Sequence, residues 1–308
     1  MTRLRLLVLV GLVVAATAAV AVLIPAAVSR LYAGPVQRAS TSAPGRANIA
    51  AQAAPPPPTL HAAPVLTPTS PKFALFGWAF LDRRTNTMVG SDNRDTVQNT
   101  TESMIKPWLA ADYLNQLNGK PLTETMSTTI TNMIEHSDDT AADTVYKADG
   151  GLPSISRLIS TCKLKETRPG KSWSYTLITP ADAVRYADCI ADGSATDPAS
   201  TNWLLSLMQN VQGGVKDNSP TDAKVQGGHW GIIDALPESL ATATAIKNGW
   251  TYIFADGVWH INCLAVRADW ALVVEMQFAE PRWDTAGLQQ GANACASVAS
   301  QLIYTPDL

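Results

Sequence analysis

The sequence predicts an α/β (α+β) domain: one antiparallel sheet built from N- and C-terminal segments, with an all-helical subdomain inserted between them. Three observations lead there. An apolar, aromatic segment beginning at Phe73 reaches a polar turn near Asp82 to Asn86 and returns, as a β-hairpin does. From Glu102 to about Asn210, apolar residues recur at three- and four-residue spacing. Beyond that block, "ATAIKNGWTYI" and "WHINCLAVRADWALVVEMQFA" return to strand character before "TAGLQQGANACASVASQLIY" closes the chain as a helix.

The first 72 residues differ in kind from the rest. Arg3 and Arg5 precede an uncharged apolar run from Leu6 to Ser29, long enough to cross a bilayer of about 30 Å as a helix. A signal peptide has a shorter apolar region, so an uncleaved signal anchor is favoured over a signal peptide for residues 1–32. No Cys follows this run, which leaves no site for lipid attachment through a thiol. Arg30, Arg38 and Arg46 beyond it dilute the positive-inside signal. Residues 33–72, rich in Ala, Pro, Ser and Thr with four consecutive prolines from Pro55 to Pro58, have too little to bury and read as a semi-extended linker. The folded domain is expected over 73–308. With 46% hydrophobic and 16% charged residues in 308, the chain has ample material for one large core.

Charge follows the same boundary. The first 72 residues hold six basic and no acidic side chains, leaving 17 Lys plus Arg against 26 Asp plus Glu and a net charge of −9 for the domain. Such a surface argues against a nucleic-acid partner. All four cysteines (Cys162, Cys189, Cys263 and Cys295) lie in the domain without a C-x-x-C pair, which suits two disulfides in an oxidising compartment. Spacing leaves their connectivity open; pairing of sequence neighbours, Cys162 with Cys189 and Cys263 with Cys295, is the simplest arrangement. Four buried thiols are the alternative.

Three polar clusters stand out. Ser103 and Lys106, in "ESMIKPWLAADYL", share a face at a helix start, with Met104 and Ile105 turned to the core. There the backbone N–H groups favour an alkoxide, and a desolvated Lys can serve as base. Pro107 is tolerated only near such a start. Ser137, Asp138 and Asp139 lead a second helix, where capping alone would explain them. Lys247, Asn248, Gly249 and Trp250 open a strand, and Gly249 lets a backbone or ligand approach closely. Singly, each fits an ordinary capped helix or an exposed strand Lys.

In this order, S-x-x-K, S-D-x and K-x-G resemble the signature set of serine β-lactamases and penicillin-binding proteins (DD-peptidases). "SDDTAAD", "LITPADA" and "GIIDALP" extend the resemblance, closest to the class A-like branch, over nearly all of 73–308. It implies a β-lactamase/transpeptidase-like fold and an acyl-enzyme mechanism on β-lactams or D-alanyl-D-alanine peptides. By the same resemblance Ser103 is the nucleophile, Lys106 its base or proton relay, and Ser137 the donor to the leaving nitrogen. Lys247 holds the substrate carboxylate; Asp139, Asn248, Gly249 and Trp250 line the substrate, with the N–H groups of Ser103 and Trp250 as oxyanion hole. No cofactor and no metal are expected. The expected state is a monomer held by an N-terminal membrane anchor or secreted, acting outside the cytoplasm on a small molecule or peptidoglycan peptide.

The departures from the pattern matter equally. Asp139 stands where the family has Asn, replacing a donor amide by an acceptor. Asn248 stands for Thr or Ser, and its amide is still able to donate to a carboxylate. The spacing from Ser103 to Ser137 and the Ω loop are both short. If Pro169 marks the family's E-P, Arg168 holds the place of the deacylating Glu, with Glu166 the one acidic residue between Pro153 and Pro180 that could stand in. Poor deacylation follows. His136, His229 and His260 lie in unrelated segments, and no G-x-S-x-G is present, so a Ser-His-Asp triad has no frame. Trp173, Tyr175, Trp203, Trp230, Trp250 and Trp259 could line a groove, although aromatic residues more often fill a core. A surface binding module of the same fold without turnover is the competing function.

Overall fold

The computed structural model describes residues 65–221 and 226–303. The expected anchor and most of the expected linker therefore lie outside the described residues. Val65 packs partly buried against one core cluster, and Leu66 exchanges two hydrogen bonds with the Gln301 side chain, so ordered contacts begin ahead of Phe73.

The hairpin forms as the sequence indicates: β1 (Phe73–Asp82) turns through 83–86 into β2 (Thr87–Gly90). A two-residue strand, β3 (Asn99–Thr100), leads into a 3-10 turn, Glu102–Ile105, and helix α1 (Lys106–Gln116). The helical block continues with α2 (Glu124–Glu135), α3 (Asp139–Ala148) and α4 (Leu152–Thr161). Strand β4 (Leu177–Ile178), paired with β3, precedes α5 (Pro180–Ala191) and α6 (Pro198–Gln209). Strands β5 (Ala245–Ile246), β6 (Gly249–Ile253), β7 (Val258–Val266) and β8 (Trp270–Ala279) complete the sheet, and α7 (Thr285–Leu302) ends the described chain.

The sheet runs β2-β1-β8-β7, with β5 and β6 both on the outer edge of β7; every pairing is antiparallel. Distant segments thus meet at its centre, where β1 lies beside β8. Side chains alternate between its faces. Ala79, Leu81, Leu264, Val266, Ala271 and Val273 face a core shared with the helical block. Trp78, Phe80, Ile261, Cys263, Leu272 and Val274 face a second core shared with α7. Burial of both faces is why "WALVVEMQFA" reads as a nearly unbroken apolar run rather than an alternating one.

Both disulfides join sequence neighbours, Cys162 to Cys189 and Cys263 to Cys295. The first ties the end of α4 to α5 across the base of the loop from Lys163 to Thr179; the second ties β7 to α7.

Candidate active site

Ser103 sits on the 3-10 turn rather than on the helix proper, and the Lys106 N–H closes that turn onto the Ser103 carbonyl. Pro107 occupies the first turn of α1, where its missing N–H costs no helical bond. Met104 and Ile105 are fully buried, which pins the turn from below. Lys106 is buried too, an unusual fate for an ammonium unless it is paired. It donates to the Ser137 carbonyl at 2.6 Å, the Ser137 Oγ at 3.3 Å and the Asp139 Oδ1 at 2.6 Å. Burial pulls its pKa below the ordinary range, and Asp139 opposes the shift.

The triplet at residues 137–139 divides its tasks. Ser137 has a left-handed backbone, φ 53°, a conformation that costs a non-glycine residue of order 1–3 kcal/mol and persists only where surroundings enforce it. Asp138 caps α3, accepting from the Ala141 N–H at 3.0 Å. Asp139, the first residue of α3, turns its carboxylate to Lys106 and remains 48% exposed, so it faces the cleft and the buried amine at once.

Lys247 lies in the break between β5 and β6 and is buried, with its Nζ 2.8 Å from the Ser137 Oγ. Burial, then repulsion from Lys106, lowers its pKa well below the ordinary value. One serine hydroxyl therefore lies within hydrogen-bond reach of two buried amines from opposite sides. Gly249 follows at the closest approach: a Cβ there would stand 2.9 Å from the Ser103 nitrogen and 2.5 Å from the Thr101 carbonyl oxygen. Only glycine lets β6 lie against the turn that carries Ser103.

Ser103, Asp139 and Trp250 line one cleft of about 230 Å³, whose walls also include Ser219, Tyr252 and Phe254. The structure thus gathers Ser103, Lys106, Ser137, Asp139, Lys247, Gly249 and Trp250 around one place. Asn248 departs from expectation. Its amide is buried and donates to the Gly228 and Trp230 carbonyls at 3.0 and 2.7 Å, so it braces the segment behind the strand instead of offering a donor to substrate.

The loop that brings Trp173 beside Lys106 is built differently. Asp182, buried at the start of α5, accepts from the backbone N–H groups of Lys165, Glu166 and Thr167 and from Arg185. Burial raises its pKa, but these donors outweigh it and leave the carboxyl below its ordinary value. The loop is folded around that carboxylate, and Glu166 itself points outward, exposed and away from the cleft lining. Arg168 is likewise exposed and pairs its backbone with Leu177. Beside Lys106 stands Trp173, its ring centroid 5.2 Å from the Nζ and its indole N–H on Asp143 at 2.9 Å.

Trp173, one of six aromatic residues named above as possible groove residues, had no motif to place it beside Lys106. One feature escaped the sequence reading: Glu102 directly precedes Ser103, has φ 47°, and is buried. Its Oε1 accepts from the Thr100 hydroxyl at 2.7 Å, and Thr100 in turn lies 3.0 Å from the His260 Nδ1. The only sequence signal was an acidic residue one position before Ser103.

Comparison with known proteins agrees with this geometry. A family model described as "Beta-lactamase enzyme family" matches residues 118–227, a span that contains Ser137 and Asp139 but neither Ser103 nor Lys247. Proteins named "Putative lipoprotein LppW", from Mycobacterium tuberculosis and Mycobacterium bovis, are 26% identical over 211 residues, 67% of this chain. The chain spans 63% of the length of these curated relatives. Among solved structures, a β-lactamase from Xanthomonas campestris aligns over 74% of this chain and 90% of its own, with TM-score 0.55 and 16% identity. A class A β-lactamase from Mycobacterium abscessus aligns over 73% and 92%, with TM-score 0.54 and 15% identity. At such identities the likeness establishes the fold. The family model thus shows a likeness to β-lactamases over residues 118–227, and the solved structures show that the described domain has the class A β-lactamase fold.

Proposed function

We propose that this protein is an extracytoplasmic serine hydrolase that forms an acyl-enzyme with β-lactams or D-alanyl-D-alanine peptides of the cell wall and releases it slowly. The observation that carries the reading is the buried Lys106–Ser137–Lys247 cluster beside the cleft that Ser103 lines. Neutral Lys106 takes the Ser103 proton as Oγ attacks the carbonyl carbon. The oxygen of the tetrahedral intermediate receives the N–H groups of Ser103 and Trp250, donors typically worth about 3 kcal/mol each. Lys106 passes its proton to Ser137, and Ser137 delivers its own to the departing nitrogen. Lys247 polarises the Ser137 hydroxyl and attracts the substrate carboxylate.

Slow release rests on the loop. Glu166 is exposed, and the residue that the loop sets near Lys106 is the Trp173 indole, so the loop supplies no carboxylate base to a deacylating water. The disulfides and the relatives' lipoprotein name support a cell-envelope location. All four cysteines are in disulfides, so attachment here falls to the apolar run Leu6–Ser29.

One observation favours a second reading, a binding protein of the same fold without turnover: the Asp139 carboxylate, 2.6 Å from the Lys106 Nζ, favours the ammonium form, the wrong state for a base. Labelling with a fluorescent penicillin separates the two. Covalent labelling abolished by Ser103→Ala supports the hydrolase; retention of the probe without a covalent bond supports the binding protein.

A further inference from the structure

We propose that Glu102 is a positioning residue for Ser103: anchored through Thr100 to His260, its carboxyl holds the left-handed turn that delivers the nucleophile and, by its charge, opposes proton loss from Lys106. This rests on the acyl-enzyme reading above.

The anchoring begins at the sheet. Asn262, on β7, donates from its amide to the Thr100 and Thr101 carbonyls at 2.7 and 3.2 Å. Asn99 donates to the Asn262 Oδ1 at 2.9 Å, and Gln277 donates to the Asn99 Oδ1 at 2.8 Å. The chain entering the Ser103 turn is thus fastened to β7 and β8 by amides. The Thr100 Oγ1–H donates to the Glu102 carboxyl, and the same oxygen lies 3.0 Å from the His260 Nδ1, which also meets the Asn99 Oδ1 at 3.1 Å and the Gln277 Nε2 at 3.3 Å. His260 is buried, and burial lowers its pKa, which favours the neutral ring.

The titratable groups facing Glu102 are Lys106 from α1, Asp139 from α3 and His260 from β7. Burial pushes the Glu102 carboxyl up to about 7; the Thr100 hydrogen bond and Lys106 pull it down, and Asp139 pushes it further up. Near neutrality the group is therefore poised between a neutral acid, which leaves Lys106 free to become a base, and an anion, which stabilises the Lys106 ammonium and disfavours negative charge on Ser103. Its left-handed backbone, beside a serine that must be placed within a fraction of an ångström, makes loss of the tether costly.

The test measures the acylation rate of the full chain by a fluorescent penicillin against pH, together with thermal melting. Glu102→Gln keeps an acceptor for Thr100 but removes the charge. The rising limb of its acylation profile is expected to move to lower pH, by less than Asp139→Asn moves it, because Asp139 is the anion in direct contact with Lys106. Glu102→Ala, which lacks the tether, is expected to acylate about tenfold to hundredfold more slowly at every pH. Melting gives a readout independent of turnover. A carboxyl with ordinary value 4.5, raised to about 7 when folded, costs stability as pH rises through that window, so Glu102→Gln should gain on wild type over it and then hold level. An unmoved limb, or an alanine variant as fast as wild type, overturns the inference while leaving the acyl-enzyme reading intact. A wild type that acylates at no pH defeats that reading first, and this inference with it.

Discussion

The two regions that meet at Lys106 are made of different material. In one, Lys106, Ser137 and Lys247 come from a helix start, a capped turn and a strand break, all buried and hydrogen-bonded to one another. In the other, a loop wraps its backbone around the Asp182 carboxylate, turns Glu166 outward and sets Trp173 against Lys106. The first region carries the groups to which the proposed acylation is assigned; the loop adds an indole to them and no carboxylate. The proposed acylation and the proposed slow release thus rest on separate pieces of chain.

That contrast is open to direct attack. The largest effect belongs to Ser103→Ala, expected to abolish covalent labelling outright; residual labelling would place the nucleophile elsewhere. Lys247→Ala should follow, slowing acylation by about 10²- to 10³-fold, since it removes the preorganised amine that lies 2.8 Å from the Ser137 hydroxyl. The loop responds instead to its staple. Replacing Cys162 and Cys189 together by Ala should lower unfolding free energy by about 3–4 kcal/mol in a denaturant titration, the loop-closure value for a 27-residue separation.

A smaller change sharpens the picture of Lys106. Asp139 raises that amine's pKa, so Asp139→Asn should lower it and carry the rising limb of acylation to lower pH, with roughly a tenfold gain near neutrality. A slower variant would mean that the carboxylate is needed to hold Lys106 in place. The smallest effect is expected from Glu166→Gln, which should leave the adduct lifetime within about twofold, a shift no larger than other surface substitutions produce. A much longer-lived adduct would bring that carboxylate back into the reaction.

Legibility in the sequence follows the same division. Helices and strands were readable because both sheet faces and one stripe of each helix bury apolar residues with regular periods. Ser103, Lys106, Ser137 and Lys247 were readable because rigid elements fix their spacing, so order along the chain carries geometry. Asn248 was misread as a substrate donor because one residue along a strand decides whether an amide meets the cleft or a neighbouring backbone. The disulfide pairing was left open because spacing does not encode it. Glu102 was missed since nothing in the local pattern tells a buried acid from an exposed one, and the residues that bury it come from β3 and β7. Trp173 was named only as one of six aromatic residues that could line a groove, because loop residues take their position from long-range partners, here Asp143 and the Thr101 hydroxyl on its carbonyl.

Intact-protein mass spectrometry over time after mixing with a β-lactam addresses the central claim most directly. The account predicts that wild type gains the mass of the opened β-lactam and keeps it through long incubation, while Ser103→Ala gains none. Wild type that never changes mass, or that consumes the β-lactam rapidly and returns to its starting mass, would contradict it.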